Sequence, residues 1–157
     1  CSSDLVNPRL AKLDQGDYEA IVLACAGLER LGLGSRIRSR LDAPDWLPAP
    51  GQAAIAVEIR DGDSRVAERL AVLDDADTRL AVSAERAMNH ALGGSCSVPV
   101  GAWCVLGEQR LHLSGLVGDV RGGRLLRAQA QGLLDAPVAL GEAVARQLLD
   151  QGAAEFL

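Results

Sequence analysis

Asp77-Thr-Arg-Leu-Ala-Val-Ser-Ala-Glu-Arg-Ala-Met-Asn-His-Ala-Leu-Gly-Gly94 decides how the second half of this chain folds. Leu80, Ala84, Ala87, Met88, Ala91 and Leu92 recur by threes and fours, so they share one face of a helix. Asp77 offers an N-cap oxygen and Gly93-Gly94 ends the pattern. Downstream, Val98–Leu106, Arg110–Val117 and Arg124–Gln131 are short strand-like segments separated by Gly-bearing turns, which predicts a three-stranded antiparallel meander. Pro137 fits the first turn of a last helix that turns Leu140, Val144, Leu148 and Leu149 inward and that Gly152 closes. Residues 75–157 therefore read as a small α+β domain with one helix before the sheet and one after.

Toward the N-terminus the pattern changes. Ala20-Ile-Val-Leu-Ala-Cys-Ala26 is apolar throughout, which predicts a strand covered on both sides, as in a parallel sheet. Leu28 and Leu31 beside Glu29 and Arg30, followed by Gly32 and Gly34, predict a short helix on the carboxyl end of that strand, the edge where ligands bind in α/β folds. A short helix over Asn7–Leu13 stops at Gly16. Pro44, Pro48 and Pro50 make 42–51 an extended hinge. Alternation of Ile55, Val57 and Ile59 predicts a further strand, and the spacing of Val66, Leu70 and Leu73 a helix over 64–73.

The 157 residues are 48% apolar and contain no apolar run long enough to cross a bilayer. Aromatic residues make up only 3%, so the core must be aliphatic. The net charge is −5, and among the 16 basic residues only Lys12 is a lysine, which leaves no basic stripe of the kind that binds nucleic acid. Arginine grips planar carboxylates with two parallel hydrogen bonds, so this composition suits a small acidic ligand. Arg36, Arg38 and Arg40 alternate and read as an exposed charged face. Cys1, Cys25, Cys96 and Cys104 form no Cys-x-x-Cys, and His90 and His112 stand at no zinc-like spacing from them, so no metal is expected. Cys25 reads as core, and the histidines as surface or helix-end residues. The opening Cys-Ser-Ser-Asp has no basic start followed by an apolar stretch, from which a cytoplasmic location with free thiols is expected.

Cys96 lies in Gly93-Gly-Ser-Cys-Ser, a glycine-rich loop between the helix and the first strand of the meander. The glycines let the backbone turn sharply and leave room beside the sulfur, as a bulky covalent adduct such as a thioether would require. The plain alternative is a small hydrophobe in a tight turn. A helix C-terminus disfavours thiolate, so nothing local activates this sulfur.

Glu85-Arg-Ala-Met-Asn followed by Leu92-Gly-Gly-Ser-Cys-Ser-Val-Pro-Val-Gly101 resembles the cofactor-attachment signature of the porphobilinogen deaminases, also called hydroxymethylbilane synthases. The resemblance continues through Arg9-Leu-Ala-Lys-Leu-Asp-Gln-Gly-Asp-Tyr-Glu-Ala-Ile-Val-Leu-Ala24, Ala26-Gly-Leu-Glu-Arg-Leu-Gly-Leu33 and Leu47-Pro-Ala-Pro-Gly-Gln52, in the family's order. It implies a pair of periplasmic-binding-protein-like (type II) α/β domains followed by a third, α+β domain. Residues 1–48 would supply the end of domain two, 49–74 the hinge and the strand-helix returning to domain one, and 75–157 the cofactor-anchoring domain three. By the same resemblance Cys96 is the thioether anchor of a dipyrromethane cofactor. Arg9 and Arg30 match arginines that hold acetate and propionate carboxylates, and Ala24 and Gln52 match positions lining the cleft.

The implied activity is a cytoplasmic, monomeric transferase of tetrapyrrole and heme biosynthesis with neither nucleic-acid nor membrane partners. Porphobilinogen loses ammonia to an electrophilic azafulvene, which the free α-carbon of the bound pyrrole chain attacks. Four condensations give linear hydroxymethylbilane. The family's catalytic aspartate belongs to an N-terminal domain expected before residue 1, so no catalytic residue is assigned in this chain. Three departures stand out: Pro8 replaces the family's threonine before Arg9, an upstream arginine is absent, and Ala53 replaces the glycine after Gln52. A non-catalytic two-lobed receptor for a small acid and an inactive remnant are the rival functions.

Overall fold

A computed structural model describes residues 6–94, 98–119 and 122–157. The chain divides into two compact units, Cys1–Leu41 and Asp42–Leu157.

In the first unit, helix α1 (Val6–Asp14) turns Leu10 inward, and Gly16 follows it in the left-handed region at φ +84°. Helix α2 (Cys25–Arg30) buries Leu28 and is succeeded by a single 3-10 turn, Gly34–Arg36. Both helices lie where their spacing predicts. The expected strand over 20–26 does not form: residues 20–24 have no regular structure and Cys25 already begins α2. A strand exists only through hydrogen bonds to a neighbour, and among the described residues none pairs with this segment. Val22, expected to be covered on both sides, is 76% exposed.

The second unit is built around three antiparallel strands in the order β1 (Val100–Leu106), β2 (Arg110–Gly118) and β3 (Leu125–Leu133), the meander expected from the sequence. The register places Trp103 opposite Ser114 and Ser114 opposite Gln129. Alternation then turns Leu111, Leu113 and Val117 of β2 toward the core, where they are fully buried. Helices α4 (Ala76–Ala91) and α5 (Pro137–Asp150) pack together over that face. Ala84, Met88 and Leu92 meet Leu140, Val144 and Leu148 there, an aliphatic core with no aromatic ring among its fully buried residues. The helices approach so closely at Gly141 that a Cβ there would stand 2.3 Å from the Ala84 carbonyl oxygen. Pro137 occupies the first turn of α5 and Gly152, at φ +95°, ends it, both as expected. Ala91 and Leu149 depart from the expected inner faces and are exposed.

Asp75, rather than Asp77, caps α4: its Oδ1 accepts the Thr78 N–H at 2.8 Å, and the Thr78 side chain first, then this backbone bond, hold its carboxyl below the usual range. Asp77 falls inside the first turn, where its charge faces the positive end of the helix.

The proline-bearing segment runs along the free edge of β1. Ala102 N–H donates to the Pro48 carbonyl at 2.8 Å, and Arg127 of β3 donates to the carbonyls of Pro44 and Asp45 at 3.1 and 2.7 Å. After it, the strand expected over 53–59 is absent and Ile55 and Val57 are 88% and 57% exposed, again because no strand among the described residues pairs with this segment. Helix α3 (Ser64–Leu70) forms as its spacing predicts, capped by Asp63 and extended by a 3-10 turn over Ala71–Leu73. Its apolar side is only half-covered at Val66 and Leu70, and Leu73 is exposed.

Candidate functional site

Four of the five residues singled out by sequence are described, and all four are exposed. Arg9 lies in the middle of α1, Ala24 is the residue before α2, and Arg30 is the last residue of α2. Arg30 thus does sit on a short helix, but an irregular extended segment precedes it rather than a buried strand. Neither Arg9 nor Arg30 makes a side-chain hydrogen bond or ion pair among the described residues. Nearby arginines do: Arg36 pairs with Asp14 and Arg40 with Glu29, which fits the charged face expected there. A guanidinium with no protein partner keeps its fork of N–H donors for an incoming carboxylate. Exposed guanidiniums of this kind can each donate to a carboxylate.

Gln52 belongs to the second unit. It follows Gly51, which is at φ +73°, and precedes Ala53, at φ +70°. Its N–H closes a tight turn on the Ala49 carbonyl at 2.9 Å, leaving the side chain on the surface. Cys96 lies outside the described residues. The helix leading to it does end as expected, with Gly93 and Gly94 both at positive φ (+90° and +46°).

The other thiols differ from expectation or from each other. Cys25 is half-buried at the start of α2, so it is not a core residue. Cys104 is buried on β1, where burial, and secondarily the charge of Glu85, push its thiol up to about 11. His90 is exposed and His112 half-buried on β2. Among the described residues no cluster of three or more His, Cys, Asp or Glu side chains could hold a metal ion, and no helix is long and apolar enough to cross a membrane.

One residue of consequence escaped the sequence reading. Glu85 sits on the buried face of α4 at 6% exposure. Its Oε2 accepts the Gly51 N–H and its Oε1 the Cys104 N–H, each at 2.8 Å. Burial raises its carboxyl above the ordinary value, although both backbone hydrogen bonds act to lower it. The signal was present in the sequence. Position 85 falls between Ala81 and Met88 on the same helical stripe, so its carboxylate had to point inward.

Two family descriptions match the chain: "Porphobilinogen deaminase, dipyromethane cofactor binding domain" over residues 5–68 and "Porphobilinogen deaminase, C-terminal domain" over residues 79–150. Porphobilinogen deaminases of Xanthomonas axonopodis pv. citri (strain 306) and Stenotrophomonas maltophilia (strain K279a) are each 59% identical over 152 residues, which cover 97% of this chain and 50% of either relative. A relative from Xanthomonas campestris pv. campestris (strain B100) is 58% identical over the same share. The chain spans about half the length of the curated relatives it matches. With both matches in the order the motifs suggested, the chain belongs to the porphobilinogen deaminase family and corresponds to the C-terminal portion of its members.

Proposed function

We propose that this chain is the cofactor-anchoring part of a porphobilinogen deaminase, which condenses four porphobilinogen molecules into hydroxymethylbilane and releases ammonia. The observation that carries the proposal is the cofactor-domain match over 5–68 joined to a C-terminal-domain match that contains the Gly93-Gly-Ser-Cys96 signature. Cys96 is the attachment point for dipyrromethane through a thioether. When bound, that group supplies the pyrrole α-carbon from which the product grows.

The chain's own residues then act on charge. Arg9 and Arg30 receive acetate and propionate carboxylates, which would otherwise repel one another as pyrrole units accumulate. Both guanidiniums lack protein partners among the described residues, so neither must break an ion pair to bind. Ala24 and Gln52 line the cleft. Pro8 offers neither a hydroxyl nor an N–H beside Arg9, so binding at that end relies on the arginine.

The finer architecture belongs to the same proposal. Residues 1–48 complete an α/β domain of periplasmic-binding-protein type, 49–74 cross back to its partner domain, and 75–157 form the third domain. The exposed, unpaired apolar segments at 20–26 and 53–59 support this division, because each has the composition of a strand that lacks only a neighbour. The protein works as a cytoplasmic monomer.

The experiment is an acid-Ehrlich colour test on the chain co-produced with the N-terminal half of the Xanthomonas axonopodis relative and given porphobilinogen. Colour retained on the purified chain and absent from Cys96→Ser is expected. A colourless parent would contradict the proposal and favour a small-acid receptor or an inactive remnant.

A further inference from the structure

Among the described residues Glu85 is the charged side chain that the fold buries, and its two oxygens face two backbone donors rather than a cation or solvent. The donors come from segments distant in sequence: Gly51 is 34 residues before it and Cys104 is 19 after. The Cys104 N–H lies on the free edge of β1, beside the Ala102 N–H that Pro48 accepts. Pro48 and Glu85 thus satisfy neighbouring donors on one edge, and Glu85 also holds Gly51 inside the Ala49–Gln52 turn that follows Pro48. A buried carboxylate is a poor way to gain stability, since an apolar side chain of similar size often does better. Burial outweighs the two hydrogen bonds here, as the upward shift of its carboxyl shows. What a carboxylate provides that an apolar group cannot is two charge-assisted acceptors at fixed directions.

We infer that Glu85 is a positioning residue: it clamps the Ala49–Gln52 turn to α4 and β1, so that Gln52 is presented from a backbone held in one place. The clamp stands on the hydrogen bonds alone. Its consequence for cofactor loading rests on the proposed role of Gln52.

Amide spectra of the chain and of Glu85→Gln test the clamp. In the parent, the Gly51 and Cys104 N–H signals move together with pH at one midpoint above the ordinary glutamate range, and Glu85→Gln abolishes both movements. Glutamine has one acceptor oxygen and an NH2 that opposes the second donor, so hydrogen exchange at Gly51 and Gln52 accelerates about tenfold while Leu113 and Val144 stay within about twofold. If Glu85→Gln does not fold, Glu85→Asp, shorter by one methylene, is read in its place and releases one of the two amides. Separate midpoints, no titration, or acceleration spread evenly over the unit would overturn the clamp. With the N-terminal half of the Xanthomonas relative supplied, Glu85→Gln lowers the fraction of chain bearing a covalent adduct about tenfold under conditions where circular dichroism shows parent and variant equally folded. Equal loading of parent and variant would overturn the positioning role. A parent that takes up no adduct would instead defeat the deaminase proposal, and the amide titration would still decide the clamp.

Discussion

Ala53 holds φ +70°, a conformation in which an L side chain crowds the following carbonyl. The family resemblance implies glycine there, a residue that adopts this conformation without steric cost. Ala53→Gly should stabilise the second unit by about 0.5–1 kcal/mol, the roughly 1–2 kcal/mol cost of a left-handed residue less the added chain freedom of glycine. Denaturant unfolding measures this, and a loss of stability would show that the turn is not strained. Glu85 makes a prediction of opposite character. Its carboxyl is raised in the folded state, so the folded protein binds the proton more readily than the unfolded chain does. The stability Glu85 contributes is therefore fully present below the ordinary value of 4.5 and is lost as pH rises through the folded value. The stability difference between parent and Glu85→Gln should shift against the parent over that window, and a shift in the parent's favour would contradict the assignment.

At the scale of elements, the cap of α4 is Asp75 and not Asp77, the residue expected from the sequence. Asp75 accepts the Thr78 N–H, so Asp75→Ala should cost about 1 kcal/mol, whereas Asp77→Ala loses only a favourable charge near the helix start and should cost a few tenths. Equal costs in thermal unfolding would mean that the cap is shared. The same comparison explains what the sequence made legible. Helices α4 and α5 and the three strands carry their own periodicity and find their partners within one unit, so spacing and turn residues sufficed to locate them. The segments 20–26 and 53–59 have strand composition, but pairing is a property of two segments, and among the described residues no strand pairs with them. Glu85 was missed for a different reason. Inner faces were traced through apolar residues, and a carboxylate that satisfies edge donors is invisible to such a trace. Arg9, Arg30, Ala24, Gln52 and Cys96 were reached through motif resemblance, since an exposed arginine or a lone cysteine carries no distinguishing local physics.

For the whole molecule, the chain spans about half of its relatives, and exposed Val22, Ile55, Val57 and Ile59 lie in the two segments that pair with no strand among the described residues. The proposed enzyme accounts for both facts, since the remaining half would supply the neighbouring strands and the catalytic carboxylate. Its centre is the sulfur of Cys96, and the intact mass of the chain measures that centre directly after co-production with the N-terminal half of a Xanthomonas relative and exposure to porphobilinogen. The chain should gain the mass of two porphobilinogen molecules less two of ammonia, on a peptide containing Cys96, and Cys96→Ser should gain nothing. An unmodified parent, or the same gain in Cys96→Ser, would contradict the tether.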